Sequence, residues 1–236
     1  MPALSFALRR RAFLGAALCT AGTAAAAPNP SANMPSINVL VIGDSQAQGL
    51  AGGLLRLYRR DRRARVLDKS KISTGLSSTT TFDWPATVRT LVGEHEDVSL
   101  VMFGANDRPP FRGSNPAYAG RLAAWQATYS DRVRDIMVTL LDDHSRVVWV
   151  GHPIVRDPAW NDDIRMLNTI FAEAAADTGA TWAPLWDVFA PTGEYVPYGA
   201  GVDGVVTRLR ADDGVHMTPA GYDLAVAHLR PLIESA

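Results

Sequence analysis

Cysteine, lysine and long apolar runs are all scarce in this chain. The single cysteine, Cys19, excludes a disulfide scaffold and a cysteine-rich metal site. Only 2 lysines accompany 21 arginines, and the formal net charge is −1, so no bulk positive field draws the protein to nucleic acid or anionic lipid. No apolar run approaches the length needed to span a bilayer repeatedly, which excludes a multi-span membrane protein. What is present is ordinary for a soluble globular chain: 236 residues, 47% apolar and 20% charged, with 19 Gly and 15 Pro. That length suits one large domain with a sizeable core.

Residues 1–27 stand apart in composition. Arg9, Arg10 and Arg11 come without an acidic residue; an apolar stretch follows from Ala12 to about Ala21, then Thr23 and the alanines Ala24 to Ala27. A charged start, a short apolar middle and a small-residue end are the pattern of an export signal rather than a span. Arg10-Arg11-Ala12-Phe13-Leu14 resembles the twin-arginine export motif, which implies the twin-arginine machinery as a partner and export in the folded state. Cleavage is expected after Ala26, leaving a mature chain with no thiol, no stable membrane insertion and a periplasmic or secreted location. Residues 28–36 read as a short linker and 37–236 as one domain.

Strand-like and helix-like runs alternate through that domain. Short apolar strands are expected at Ile37–Ile42, Arg65–Leu67, Val98–Phe103, Val147–Val150 and Thr181–Leu185. Helical spacing covers Gln46 to about Arg60, Ala119–Leu141, Ile164–Ala176, and a last helix opened by Thr218-Pro219 and running to about Ile233. This alternation predicts an α/β protein, a three-layer α/β/α sandwich around a central parallel sheet. Ligands in such sheets bind beyond the carboxyl ends of the strands.

Those ends carry the chemistry. Ser45 lies between the first strand and the first helix, where the backbone N–H groups and the helix dipole favour developing negative charge. A serine needs a general base to act as nucleophile; His216 can serve, with Asp213 three residues earlier holding its other nitrogen. The Ser45 N–H, the Gly75 N–H and the Asn106 amide are the candidate oxyanion donors.

Gly43-Asp44-Ser45, Gly75, Gly104-Ala105-Asn106-Asp107 and Asp213-Gly214-Val215-His216, in this order, resemble the four blocks of the SGNH (GDSL-type) hydrolase superfamily. Gln46 stands where leucine is frequent, and the glycine block matches least. Phe82-Asp83-Trp84-Pro85 and Asn106-Asp107-Arg108 further resemble an exported bacterial branch. The resemblance implies a flavodoxin-like three-layer fold, no metal or other cofactor, and hydrolysis of carboxylic esters or acyl transfer to a sugar hydroxyl. A non-catalytic glycan-binding module on the same fold is the third reading, and an intact triad argues against it.

Asp44, Asp107, Arg108 and Trp84 are expected to contact substrate; Asp107 alternatively orients its loop, and Trp84 alternatively packs. Gly49, Gly52 and Gly53 point to close helix packing, His95 to a solvated surface, and His152 to either the cleft or the core. The loops at the catalytic edge carry Arg108, Arg112, Arg156, Trp160, Tyr195, Tyr198, Arg208 and Arg210 rather than a continuous apolar surface. They point to short acyl esters, such as O-acetyl groups on polar or anionic envelope glycans, unless those arginines only brace the loops.

Overall fold

The computed structural model describes residues 37–61, 64–93, 96–111 and 116–235. The expected export signal and linker, together with His95 and Arg112, lie outside the described residues.

Five parallel strands form the central sheet: β1 (Ile37–Gly43), β2 (Ala64–Asp68), β3 (Val98–Met102), β4 (Arg146–Val150) and β5 (Thr181–Ala183), in the order β2-β1-β3-β4-β5. Its strands are buried on both faces because side chains alternate. Val39, Val41, Leu100, Met102, Val148 and Val150 enter one apolar cluster; Leu40, Ile42, Val101, Val147 and Trp149 enter the other. The first cluster is closed by α1 (Ser45–Leu57), α5 (Trp186–Phe189) and α6 (Pro219–Glu234). The second is closed by α2 (Trp84–Leu91), α3 (Pro116–Asp142) and α4 (Pro158–Thr178). Tyr129, Val133, Ile136, Met137 and Leu140 supply the α3 stripe, spaced by three and four residues as one helical face requires. The three-layer α/β/α sandwich is thus the observed fold.

Several boundaries differ from the sequence expectation for local reasons. Asp157 caps α4 by accepting from Ala159 N at 3.0 Å, with Pro158 in the first turn, so this helix starts six residues before the periodic stretch. Asp83 caps α2 in the same way, a helix of 8 residues too short to announce itself by periodicity. The expected fifth strand ends at Ala183, and Trp186–Phe189 turns into α5. Tyr198–Ala200 (β6) and Val206–Arg208 (β7) form an antiparallel hairpin inside what reads as loop. Thr218 caps α6 as expected. Gly49 and Gly53 do serve close packing: a Cβ at Gly49 would lie 1.9 Å from the Tyr222 ring of α6, and one at Gly53 2.9 Å from Val226. Gly52 faces only the Arg56 side chain and has no such role. No described helix is long and apolar enough to cross a membrane.

β1 has β2 on one side and β3 on the other, so the chain leaves it in both directions. The crevice at such a point, beyond the carboxyl ends of β1 and β3, is where an open α/β sheet offers a site.

Candidate active site

Ser45 stands at that crevice. The turn from β1 into α1 is set by Asp44, whose carboxylate caps the helix by accepting from Gln46 N at 2.8 Å and reaches Ala105 N at 3.2 Å. The Ser45 N–H, in the first helical turn, has no intrahelical acceptor and lies at the positive end of the helix dipole. The Ser45 hydroxyl lies 2.7 Å from His216 Nε2.

His216 comes from the turn between β7 and α6. Its Nδ1 is 2.6 Å from Asp213 Oδ2, while Asp213 Oδ1 accepts from Val215 N at 2.8 Å and His216 N at 2.9 Å. One carboxylate therefore shapes the turn and selects the tautomer: Nδ1 carries the proton, and Nε2 accepts from the serine hydroxyl. Partial desolvation works to raise the Asp213 pKa, but the Val215 and His216 donors outweigh it and hold the group below its usual range. The sequence reading assembled Ser45, Asp213 and His216 from scattered blocks, and the structure brings them together.

It also reveals supports that motif reading missed. The Gln46 side chain, fully buried, donates to Val215 O at 2.9 Å and accepts from the Tyr222 hydroxyl at 2.9 Å. The departure from leucine at position 46 thus has a structural use: an amide ties the serine helix to the histidine turn. Arg210, also fully buried, donates to Val215 O at 3.0 Å and to Ile154 O. Arg208 pairs with Asp212. Arg210 thus braces the loop from within, and Arg208, partly exposed, also donates to Arg210 O at 3.0 Å. The only signal available in sequence was their proximity to the histidine block.

Gly75 and Asn106 line one small cleft of about 120 Å³, with Ser73, Thr74, Ser77 and Phe82 among its other walls. Asn106 Nδ2 donates to Thr74 O at 2.9 Å, which fixes the plane of the peptide carrying the Gly75 N–H and leaves one amide hydrogen free. Position 75 must be glycine, because a Cβ there would sit 2.2 Å from Asp107 Oδ1. That oxygen accepts from Leu76 N at 2.7 Å, Ser77 N at 2.8 Å and Ser77 Oγ at 3.0 Å; the other accepts from Tyr129 OH at 2.9 Å. Asp107 is the knot that holds the glycine loop against the β3 loop.

Three expected substrate contacts are therefore corrected. Asp44 and Asp107 are 0% exposed and Trp84 is 1% exposed, so all three are packed into the frame, Asp107 directly behind the wall of the small cleft. Burial pushes the Asp44 carboxyl up to about 7, against the opposing pull of the Gln46 N–H, and the neighbouring Asp107 charge adds to the rise. Burial likewise raises Asp107, with the Ser77 N–H opposing. Trp84 packs edge-on against Phe82 and Phe103 and donates its indole N–H to Thr74 Oγ1 at 2.9 Å. Arg108 remains partly exposed, paired with Asp163 at 3.1 Å and lying over the Trp160 ring at 4.7 Å. His152 belongs to the core: it is fully buried, its Nδ1 is bonded to Pro153 O at 2.8 Å, and burial pushes its pKa down to about 4. Among the described residues no cluster of histidine, cysteine and acidic side chains could hold a metal ion.

An arrangement of hydroxyl, imidazole and carboxylate at these distances, with the Ser45 N–H at the positive end of α1, is able to attack a carbonyl carbon and to stabilise the resulting oxyanion. Comparison with solved structures agrees with the architecture. A member of the lipolytic protein G-D-S-L family from Veillonella parvula superposes with TM-score 0.61 at 11% identity, over 85% of this chain and 100% of the other. A lipase/acylhydrolase from Enterococcus faecalis gives TM-score 0.55 at 14% identity, over 85% and 100%. An acetylxylan esterase from Geobacillus stearothermophilus, a catalytic mutant, gives 0.57 at 14% identity, over 86% and 97%. Comparison with curated protein sequences gives no significant match. Residues 38–231 match the family model described as "Protein of unknown function (DUF459)". The chain belongs to this DUF459 family and has the fold of the SGNH (GDSL-type) hydrolases.

Proposed function

We propose that the protein is a serine esterase that cleaves short-chain carboxylic esters, with polar glycan O-acyl groups as the substrate class. The observation that carries this reading is the relay Ser45 Oγ to His216 Nε2 at 2.7 Å and His216 Nδ1 to Asp213 Oδ2 at 2.6 Å. In the reaction, Ser45 Oγ attacks the ester carbonyl while its proton passes to His216 Nε2. Asp213 stabilises the imidazolium without taking the proton. The oxyanion accepts from the Ser45 and Gly75 N–H groups and from the free Asn106 amide hydrogen. His216 then protonates the leaving alcohol, and a water deprotonated by the same imidazole releases the acid.

The openness of the site supports polar substrates with short acyl groups. The Asp213 and His216 side chains are 50% and 36% exposed, and the cleft beside the oxyanion donors is lined largely by hydroxyls. An acyl channel would require a run of buried aliphatic walls, each methylene adding about 0.8 kcal/mol of burial. Action outside the cytoplasm belongs to the same proposal and rests on the arginine pair, short apolar stretch and alanine run of residues 1–27.

The test is hydrolysis of p-nitrophenyl acetate and reaction with an organophosphonate. Ser45→Ala and His216→Ala each abolish both while the fold persists by circular dichroism. Well-folded Ser45→Ala protein that turns over at the parent rate refutes the mechanism.

A further inference from the structure

A second hollow, of about 390 Å³, adjoins the oxyanion cleft, and Ser77 lines both. Its walls include Phe111, Arg121, Trp125, Tyr129 and Arg132. We propose that this hollow is a binding subsite for an acidic sugar, a pyranose bearing a carboxylate, in the chain whose acyl group reaches the cleft. The proposal rests on the esterase reading only in taking the oxyanion cleft as the reacting end.

Three features combine. The first is cationic. Arg121 lies over the Phe111 ring at 4.3 Å and has no ion-pair partner among the described residues. Arg132 uses one nitrogen on Leu76 O at 2.6 Å, and its remaining N–H groups meet no carboxylate among the described residues. Elsewhere on α3, Arg134 is paired with Asp177, so these two unpaired guanidinium groups at one hollow are a distinct feature. Among the described residues no acidic side chain lines the hollow. Planar forks of donors fit a carboxylate better than they fit a neutral hydroxyl.

The second feature is a ring platform. Trp125, half-buried, stacks on Tyr129 with centroids 5.0 Å apart and planes 21° apart, and so offers its other face to the C–H face of a pyranose. The third is rigid coupling to the reacting end. Tyr129 donates to Asp107 Oδ2 at 2.9 Å, and Asp107 Oδ1 holds Leu76 and Ser77 beside Gly75. Arg132, through Leu76 O, grips the same loop. A sugar seated on Trp125 is therefore registered against the oxyanion donors by a continuous set of hydrogen bonds, not by a flexible loop.

The experiment is calorimetric titration of the full-length protein with a galacturonic acid trisaccharide and with a neutral galactose trisaccharide, at low and at physiological salt. The acidic sugar binds more tightly than the neutral one, and salt weakens it. Arg121→Gln weakens the acidic sugar by at least about tenfold, the loss of one charge-assisted contact, and leaves the neutral one nearly unchanged. Arg89→Gln removes the same charge from the exposed Arg89–Asp135 pair and leaves both affinities as in the parent. Trp125→Phe, which keeps a ring, retains more affinity for both sugars than Trp125→Ala. Equal affinity for the two sugars, absence of binding by either, or an equal loss in Arg89→Gln overturns the proposal. Hydrolysis of p-nitrophenyl acetate, followed in parallel on the parent, reports separately on the esterase reading, so failure of one is not mistaken for failure of the other.

Discussion

Replacement of Asp107 by alanine tests the idea that one buried carboxyl assembles the site from two loops. Four donors converge on it: Leu76 N, Ser77 N, Ser77 Oγ and Tyr129 OH, at 2.7, 2.8, 3.0 and 2.9 Å. The Leu76 and Tyr129 donors are buried and cannot turn to water, whereas the Ser77 pair is part-buried. A stranded buried donor costs about 1–3 kcal/mol, and the part-buried pair adds less. Relief of the desolvation that raises the Asp107 pKa offsets a portion. The net expectation for Asp107→Ala is about 3–5 kcal/mol. In a domain of this length that lowers Tm by about 6–20 °C. Asp107→Asn behaves differently: its carbonyl serves Leu76 and Ser77, and its amide donates to the Tyr129 oxygen, which accepts once its proton rotates away. It should lose no more than about 1.5 kcal/mol. Urea denaturation of the parent and both variants gives the stabilities, and p-nitrophenyl acetate kinetics on the folded fraction gives the effect on kcat. Asp107→Ala within about 1 kcal/mol of the parent, or Asn and Ala variants of equal stability, refutes the reasoning.

Other consequences follow from the same geometry. Asn106→Ala should lower kcat by roughly 10²–10³-fold with little change in KM, as removal of an oxyanion donor does; a loss confined to KM would make it a substrate-binding residue instead. For Asp44 the folded pKa of about 7 lies above the usual carboxyl value of 3.8, so the folded state binds the extra proton. Stability from this group is therefore fully present below the unfolded pKa and falls as pH rises towards about 7, by up to about 1.4 kcal/mol per pH unit. Asp44→Asn should flatten that slope in urea denaturation between those pH values, and an unchanged slope assigns it to other groups. Across p-nitrophenyl esters from acetate to octanoate, kcat/KM should stay flat or fall; a tenfold rise would reveal an apolar channel and leave the triad assignment standing.

Much of the architecture was legible in the chain. Val39 to Ile42 and Val147 to Val150 are short apolar runs, and only a strand buried on both faces uses such runs economically. The serine and asparagine blocks were legible as a candidate site because they follow β1 and β3 directly and the histidine block leads into α6, whereas Gly75 sits in an irregular loop beyond β2. The short elements were not legible: α2, α5 and the β6–β7 hairpin hold 8, 4, 3 and 3 residues, too few to show a period.

Tertiary structure alone decided which polar residues face a ligand and which hold the frame. In sequence, Asp44, Asp107 and Asp213 are three acidic residues in catalytic-looking blocks. In the fold, the first two are sealed beneath the sheet edge and the third stands half exposed beside His216. The difference lies in donors supplied from far along the chain: Leu76 and Ser77 reach Asp107 from 31 and 30 residues away. His152 and Arg210 are frame residues as well, and their partners Pro153 O, Ile154 O and Val215 O are backbone carbonyls, which carry no mark in the sequence whether they lie 1, 56 or 5 residues away. Side-chain chemistry and local spacing are written in the chain, whereas burial is a property of what the rest of the chain places on top.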